Sequence, residues 1–332
     1  MSTSDPLRPP SSADPVLPAQ DRAPARRGSA DWVLFGPYGL RAGWRVLLYV
    51  LLAAVLAAAL YPLVSRAVDP NGPLRLLASA IVMLVSSLVA GWVMLAAVDR
   101  RPPGALGFAA DPAAARDSLA GTGIGIAMLG LAVLLLAVAG MARWVADTGS
   151  GWEYVAALAQ SLAFFAVAAA AEEAAFRGYA FQALVQGLGA WPAAIATSAL
   201  FALAHAGNPD VSAIALANIF LAGVMLAVAY LKTRSLWFAT AVHLGWNWAM
   251  QSLLGFPVSG LNEWDTPLYD VRETGPDLLT GGPFGPEAGL AATLAILAGT
   301  AWMWRTRRLG ESERMRALRP LVDARMGAGH GP

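Results

Sequence analysis

The chain has 332 residues, is 57% hydrophobic and carries charge on only 14% of them. A soluble globular domain carries about a quarter charged residues, so a soluble fold is excluded for the chain as a whole. The absence of cysteine excludes disulfides and thiolate metal sites, and the net charge of +1 gives no pointer to nucleic acid, so no nucleic-acid partner is expected.

The apolar residues fall into runs long enough to cross a bilayer, which takes roughly 20 residues of helix. Helices satisfy their own backbone hydrogen bonds in lipid, and the runs lack the alternation of membrane-crossing strands. The expected fold is therefore all-α, a polytopic transmembrane helical bundle of about eight spans. Membrane lipid is one expected partner.

In chain order, residues 1–30 are rich in Pro, Ser and Ala and nearly free of large apolar residues, so a disordered cytoplasmic tail is expected. No apolar core follows an early basic patch as in a cleaved signal peptide. Spans are predicted near 46–64, 76–98, 119–142, 155–186, 191–206, 211–231, 236–255 and 288–304. The breaks "DPNGP", "DRRPPGALGF", "ADTGSGW", "QGLGAWP", "AGNPD" and "KTRS" contain the residues that punctuate helices. These divide the chain into N-terminal transmembrane helices (31–150), a helical core (151–255), an extracytoplasmic loop (256–287) and a last span with a basic tail (288–332). The tail beyond Arg305 is expected to be helical at first and then loose.

Basic residues set the orientation. With the N-terminus inside, only Arg66, Arg75, Arg143 and Arg272 of the 23 basic residues fall outside. The acidic loop with Glu263, Asp265, Asp270, Glu273 and Asp277 also falls outside. Both termini are expected to be cytoplasmic in this multi-pass protein.

Three charges interrupt the apolar run "AAAEEAAFRGYAF": Glu172, Glu173 and Arg177. His205 and His243 also sit within or at the edge of apolar runs, whereas His330 lies in the terminal tail. An ionisable residue at membrane depth is costly and marks a functional site by default. The plainer role for one such histidine is a helix cap or an interhelical hydrogen bond. Two histidines with a glutamate pair favour a site.

Spans four and five form a hairpin turning at "QGLGAWP". Glu172 and His205 are equidistant from that turn, so they are expected at one level, roughly 20 Å in. From "LKTRS", His243 lies roughly 14 Å in and Asn247 roughly 20 Å in. The latter two are four residues apart and share a helix face. Consecutive helix residues point about 100° apart, so Glu172 and Glu173 do different jobs. Glu173 and Arg177 form an i,i+4 pair in the favourable order. That pairing leaves Glu172 to face the interior, although Arg177 also reaches Glu172 in the reverse assignment. The fourth span exceeds 30 residues and must tilt, kink or project from the membrane.

"EEAAFR" matches the motif E-E-x-x-x-R, "FALAH" (Phe201 to His205) matches F-x-x-x-H, and "HLGWN" (His243 to Asn247) matches H-x-x-x-N. In this order, on apolar helices, they resemble the CPBP intramembrane endopeptidases. That family includes type II CAAX prenyl proteases and bacteriocin-processing and abortive-infection-type relatives. The resemblance covers about residues 155–255, and "LGF" and "LTGGPFGPEAG" add a weaker likeness. It implies a helical bundle with a conical cavity open to the cytoplasm and a peptide or protein substrate. It also implies Glu172 as general base, His205 as the group positioning the attacking water, and His243 and Asn247 as stabilisers of the oxyanion. A carboxylate drawn out of water suits the role of base, and donors aimed at a developing charge act strongly in a dry site.

Some relatives are called metalloproteases, and His205, His243 and Glu172 with a water would make a zinc sphere. The H-E-x-x-H helix of such enzymes is absent, and the metal-free arrangement is the expectation. Two other readings stand beside it. A transporter would use the same residues as a proton or ion relay, but neither an internal repeat nor paired broken helices are evident. A non-catalytic scaffold or immunity factor would not need all motif residues intact. Asn218 is the one intramembrane polar residue off the motifs that would mark a path. Trp246 and Trp248 flank Asn247, and packing is their first expected role.

Overall fold

The computed structural model describes residues 33–69 and 74–323. The tail expected over residues 1–30 and His330 lie outside the described residues. The chain folds as an all-α polytopic bundle. A short hairpin of β1 (Phe35–Gly36) and β2 (Gly39–Leu40) precedes α1 (Ala42–Ser65), α2 (Arg75–Ala97) and α3 (Pro112–Val138). Strand β3 (Ala142–Ala146) leads to α4 (Gly151–Phe176), α5 (Tyr179–Leu188), α6 (Ala190–Ala204), α7 (Ala213–Thr233) and α8 (Leu236–Trp248). After β4 (Tyr269–Glu273) come α9 (Leu290–Arg305) and α10 (Glu313–Leu318).

Among the described residues, five stretches are long and apolar enough to cross a membrane: α1, α2, α3, the 38-residue stretch Gly151–Leu188 and α7. The other three expected spans form shorter helices, α6 with 15 residues, α8 with 13 and α9 with 16. Helix α8 continues through a π-helical turn at Ala249–Leu253.

The long fourth span kinks. Helix α4 opens with a capping box, in which Ser150 and Glu153 satisfy each other's backbone N–H groups. It ends at Phe176, and Arg177 and Gly178 separate it from α5. A side chain at Gly178 would put its Cβ 2.2 Å from the Ala174 carbonyl oxygen, so only glycine fits the break. The third span starts earlier than expected because Asp111 caps α3, accepting from the Ala113 N–H at 3.0 Å, with Pro112 at the first helical position.

Two further features depart from the sequence expectation. Strands β3 and β4 pair antiparallel, from Ala142 with Glu273 to Ala146 with Tyr269. Five residues each, β3 at the end of an apolar run and β4 inside the long loop, are too few to show a strand period. The tail beyond Arg305 reverses the expected order: 306–312 is not helical, and α10 then docks on the bundle with Met315 and Leu318 buried, followed by the buried Leu321 and Val322. That apolar stripe is spaced among basic residues that mask it in the composition. Arg234 holds the segment through Asp323 at 3.0 Å and Glu311 at 3.7 Å.

The helix that carries His243 and Asn247 is clamped against α3. A Cβ at Gly125 would meet the Val242 carbonyl oxygen at 2.2 Å, and one at Gly245 would meet that of Thr122 at 2.2 Å. Small residues let the backbones approach, as in other membrane helix pairs. Helix α7 is the most enclosed of the long helices, with 61% of its apolar window buried, and α1 the least, with 6%. Helix α7 is therefore the central post of the bundle, and α1 lies at its edge.

Candidate active site

Glu173 on α4 is fully buried and pairs with the equally buried Arg177 at 3.1 Å. Arg177 Nη2 also donates to the Gly223 carbonyl of α7 at 3.1 Å. Its guanidinium carbon lies 4.5 Å from the centre of the Phe201 ring on α6, a cation–π contact. One arginine at the kink thus ties α4 to α6 and α7.

The same Glu173 oxygen accepts a second hydrogen bond, from His243 Nδ1 of α8, at 3.0 Å. A carboxylate only accepts, so Nδ1 carries a proton, and in the neutral tautomer this leaves the lone pair at Nε2. That Nε2 lies 3.7 Å from Glu172 Oε2. Glu172 Oε2 is buried and, among the described residues, has no hydrogen-bond partner. The spacing is too long for a direct hydrogen bond and suits a water bonded to both atoms. The two neighbouring glutamates therefore hold opposite sides of one imidazole, and only Glu172 retains some exposure, 26% of its side chain.

His205 is the C-cap of α6, its Nδ1 2.8 Å from the Phe201 carbonyl oxygen. Its ring packs on Phe201 at 4.8 Å, and Phe201 packs in turn on His243 at 6.1 Å. His205 thus reaches the cluster through an aromatic ring. Asn247 lies one turn beyond His243, and both line a cavity of about 30 Å³ between α7, α8 and α9. That volume holds one or two waters.

The far end of this cavity holds Glu287, which the sequence reading did not single out. Its signal is present: it is the one charged residue between Asp277 and Arg305. Its carboxylate accepts from Trp246 Nε1 at 3.2 Å and from Ser259 N and Oγ at 3.0 and 2.7 Å. Trp246 thus does more than pack, while Trp248 Nε1 donates to the Leu158 carbonyl. Asn218 lines the same cavity and braces the Glu287 turn, donating to the carbonyls of Glu287 and Gly289 at 2.7 and 3.0 Å.

The zinc set of His205, His243 and Glu172 does not come together. Among the described residues no three His, Asp or Glu side chains are placed to hold a metal ion. His243 Nδ1 is committed to Glu173, and His205 packs on the Phe201 ring, so the three side chains do not form a ligand set.

Residues 154–249 match the family model described as type II CAAX prenyl endopeptidase Rce1-like. The matched segment contains all three motifs and bears out the CPBP resemblance over less than a third of the chain. No curated protein matches the chain.

Proposed function

We propose that this chain, an intramembrane endopeptidase of the type II CAAX class through its Rce1-like segment, hydrolyses peptide bonds with a water activated by Glu172. The observation that carries the reading is His243 held between Glu172 and Glu173. The water donates one hydrogen to Glu172 Oε2 and the other to His243 Nε2. As its oxygen attacks the scissile carbonyl carbon, Glu172 takes a proton as general base. The tetrahedral oxyanion accepts a hydrogen bond from the Asn247 amide. Glu172 then passes its proton to the leaving amine, the carbon–nitrogen bond breaks, and an acid and an amine depart.

Glu173 touches no reacting atom. It fixes the ring proton and orientation of His243, as a carboxylate behind a catalytic histidine does. His243, rather than His205, adjoins Glu172, which favours it as the second partner of the water. His205 is left to hold Phe201 against Arg177 at the rim.

Access is proposed from the cytoplasmic face, along the partly exposed Glu172 side chain. Glu287 closes the 256–287 loop, which the basic-residue count puts outside. The test is incubation of purified protein in lipid with a peptide library. Discrete cleavage products are expected from wild type and none from Glu172→Gln of equal thermal stability. Equal cleavage by both proteins, or by neither, overturns the reading.

A further inference from the structure

We propose that Glu287 is a specificity-determining residue that receives a primary ammonium group of the substrate, a lysine side chain or a chain's amino terminus. This rests on the endopeptidase reading above and adds the chemistry of its substrate. Glu287 shares one cavity with His243 and Asn247, and Trp246, beside Asn247, donates directly to its carboxylate. A group bound at Glu287 therefore sits at a fixed remove from the scissile bond.

The turn that carries Glu287 is braced rather than loose. Asn218 donates to the backbone on both sides of Ala288, and Thr293 Oγ1 donates to Asn218 Oδ1 at 2.7 Å. The three donors to the Glu287 carboxylate, Trp246 Nε1 and the backbone N–H and hydroxyl of Ser259, are all neutral. Among the described residues no cation pairs with it. An ionised carboxylate accepts about four hydrogen bonds, so three neutral donors orient the group and leave both a lone pair and its charge.

The rest of the cavity wall is mostly apolar, with Ile219, Met225, Leu226 and Ile296. It offers no competing counter-charge. The volume, about 30 Å³, is that of one or two waters, the size of an ammonium head. A guanidinium is broader and planar, so a primary amine is the better fit to that space.

The experiment takes one library peptide that the full-length protein cuts in lipid and prepares it in four forms. Three are acetylated at the amino terminus and place lysine, arginine or norleucine beside the scissile bond; the fourth pairs norleucine with a free amino terminus. Wild type should cut the lysine or the free-amine form with a kcat/KM about 10- to 100-fold above acetylated norleucine, the usual worth of a charged hydrogen bond. Whichever of the two is preferred identifies the source of the ammonium, and arginine should gain less. In Glu287→Gln the ratio of preferred to neutral peptide should collapse to about one. A merely structural Glu287 would slow every form alike and keep the ratio, which overturns the inference. Equal cutting of all four forms by wild type overturns it too, with the endopeptidase reading intact. No cleavage of any library peptide removes both.

Discussion

Glu173 serves Arg177 and His243 with one oxygen, and the two services separate under mutation. Glu173→Leu leaves a guanidinium, fully buried, with the Gly223 carbonyl and the rings of Phe201 and Phe176 as its remaining neutral partners. Removing one member of such a pair costs about 3–5 kcal/mol. Arg177→Met alone strands the Glu173 charge at a similar cost. The double variant removes both charges at similar volume, and buried pairs replaced in this way are often neutral for stability. It should therefore melt well above either single variant, although independent effects would add to about 6–10 kcal/mol. Turnover should not return, because His243 still lacks the acceptor that fixes its Nδ1 proton; a loss of about 100- to 10,000-fold is expected. Thermal unfolding and peptide turnover, measured on the same lipid-reconstituted samples, read both effects. A double variant destabilised by the full sum, or one that regains turnover along with stability, refutes the reasoning.

Gly178→Ala should lower thermal stability by about 2 kcal/mol or more, because its Cβ would meet a backbone carbonyl at 2.2 Å; an unchanged melting point would mean that the kink tolerates a side chain. Asn247→Ala should slow turnover about 100- to 1,000-fold with little change in KM, as for loss of one oxyanion donor; stopped-flow or discontinuous kinetics separate the two parameters. A reporter fused after Arg308 should be active only in the cytoplasm and one near Asp270 only outside, following the basic-residue count. With that orientation, a membrane-impermeant peptide should be cut only when vesicles present the cytoplasmic face.

Much of this bundle is legible because the signals are local. Apolar runs and their Gly and Pro breaks mark the helices, and the i,i+4 spacing of Glu173 and Arg177 foretells the buried pair that the structure makes. The contacts that give the site its chemistry are less local. Glu173 and His243 are 70 residues apart, and no periodicity in α4 or α8 shows that one glutamate oxygen serves both Arg177 and His243. Glu287 is harder still: it lies on a turn outside the helical pattern, 41 residues from Trp246, and only folding brings it to the cavity. The kink at Gly178 was legible as a need, since the fourth span was too long, but its place depends on a steric clash with Ala174 that composition does not carry. The docked α10 escaped because four apolar residues among arginines average to a polar tail.

The central claim is that Glu172 and His243 act on one water across their 3.7 Å gap. A double-mutant cycle tests it most directly: single-turnover cleavage of one peptide by wild type, Glu172→Gln, His243→Gln and the double variant, each shown to be folded. Groups that act as a unit are not additive, so the double variant should be about as slow as the slower single variant. Rate losses that multiply would show two independent contributions and contradict a shared water.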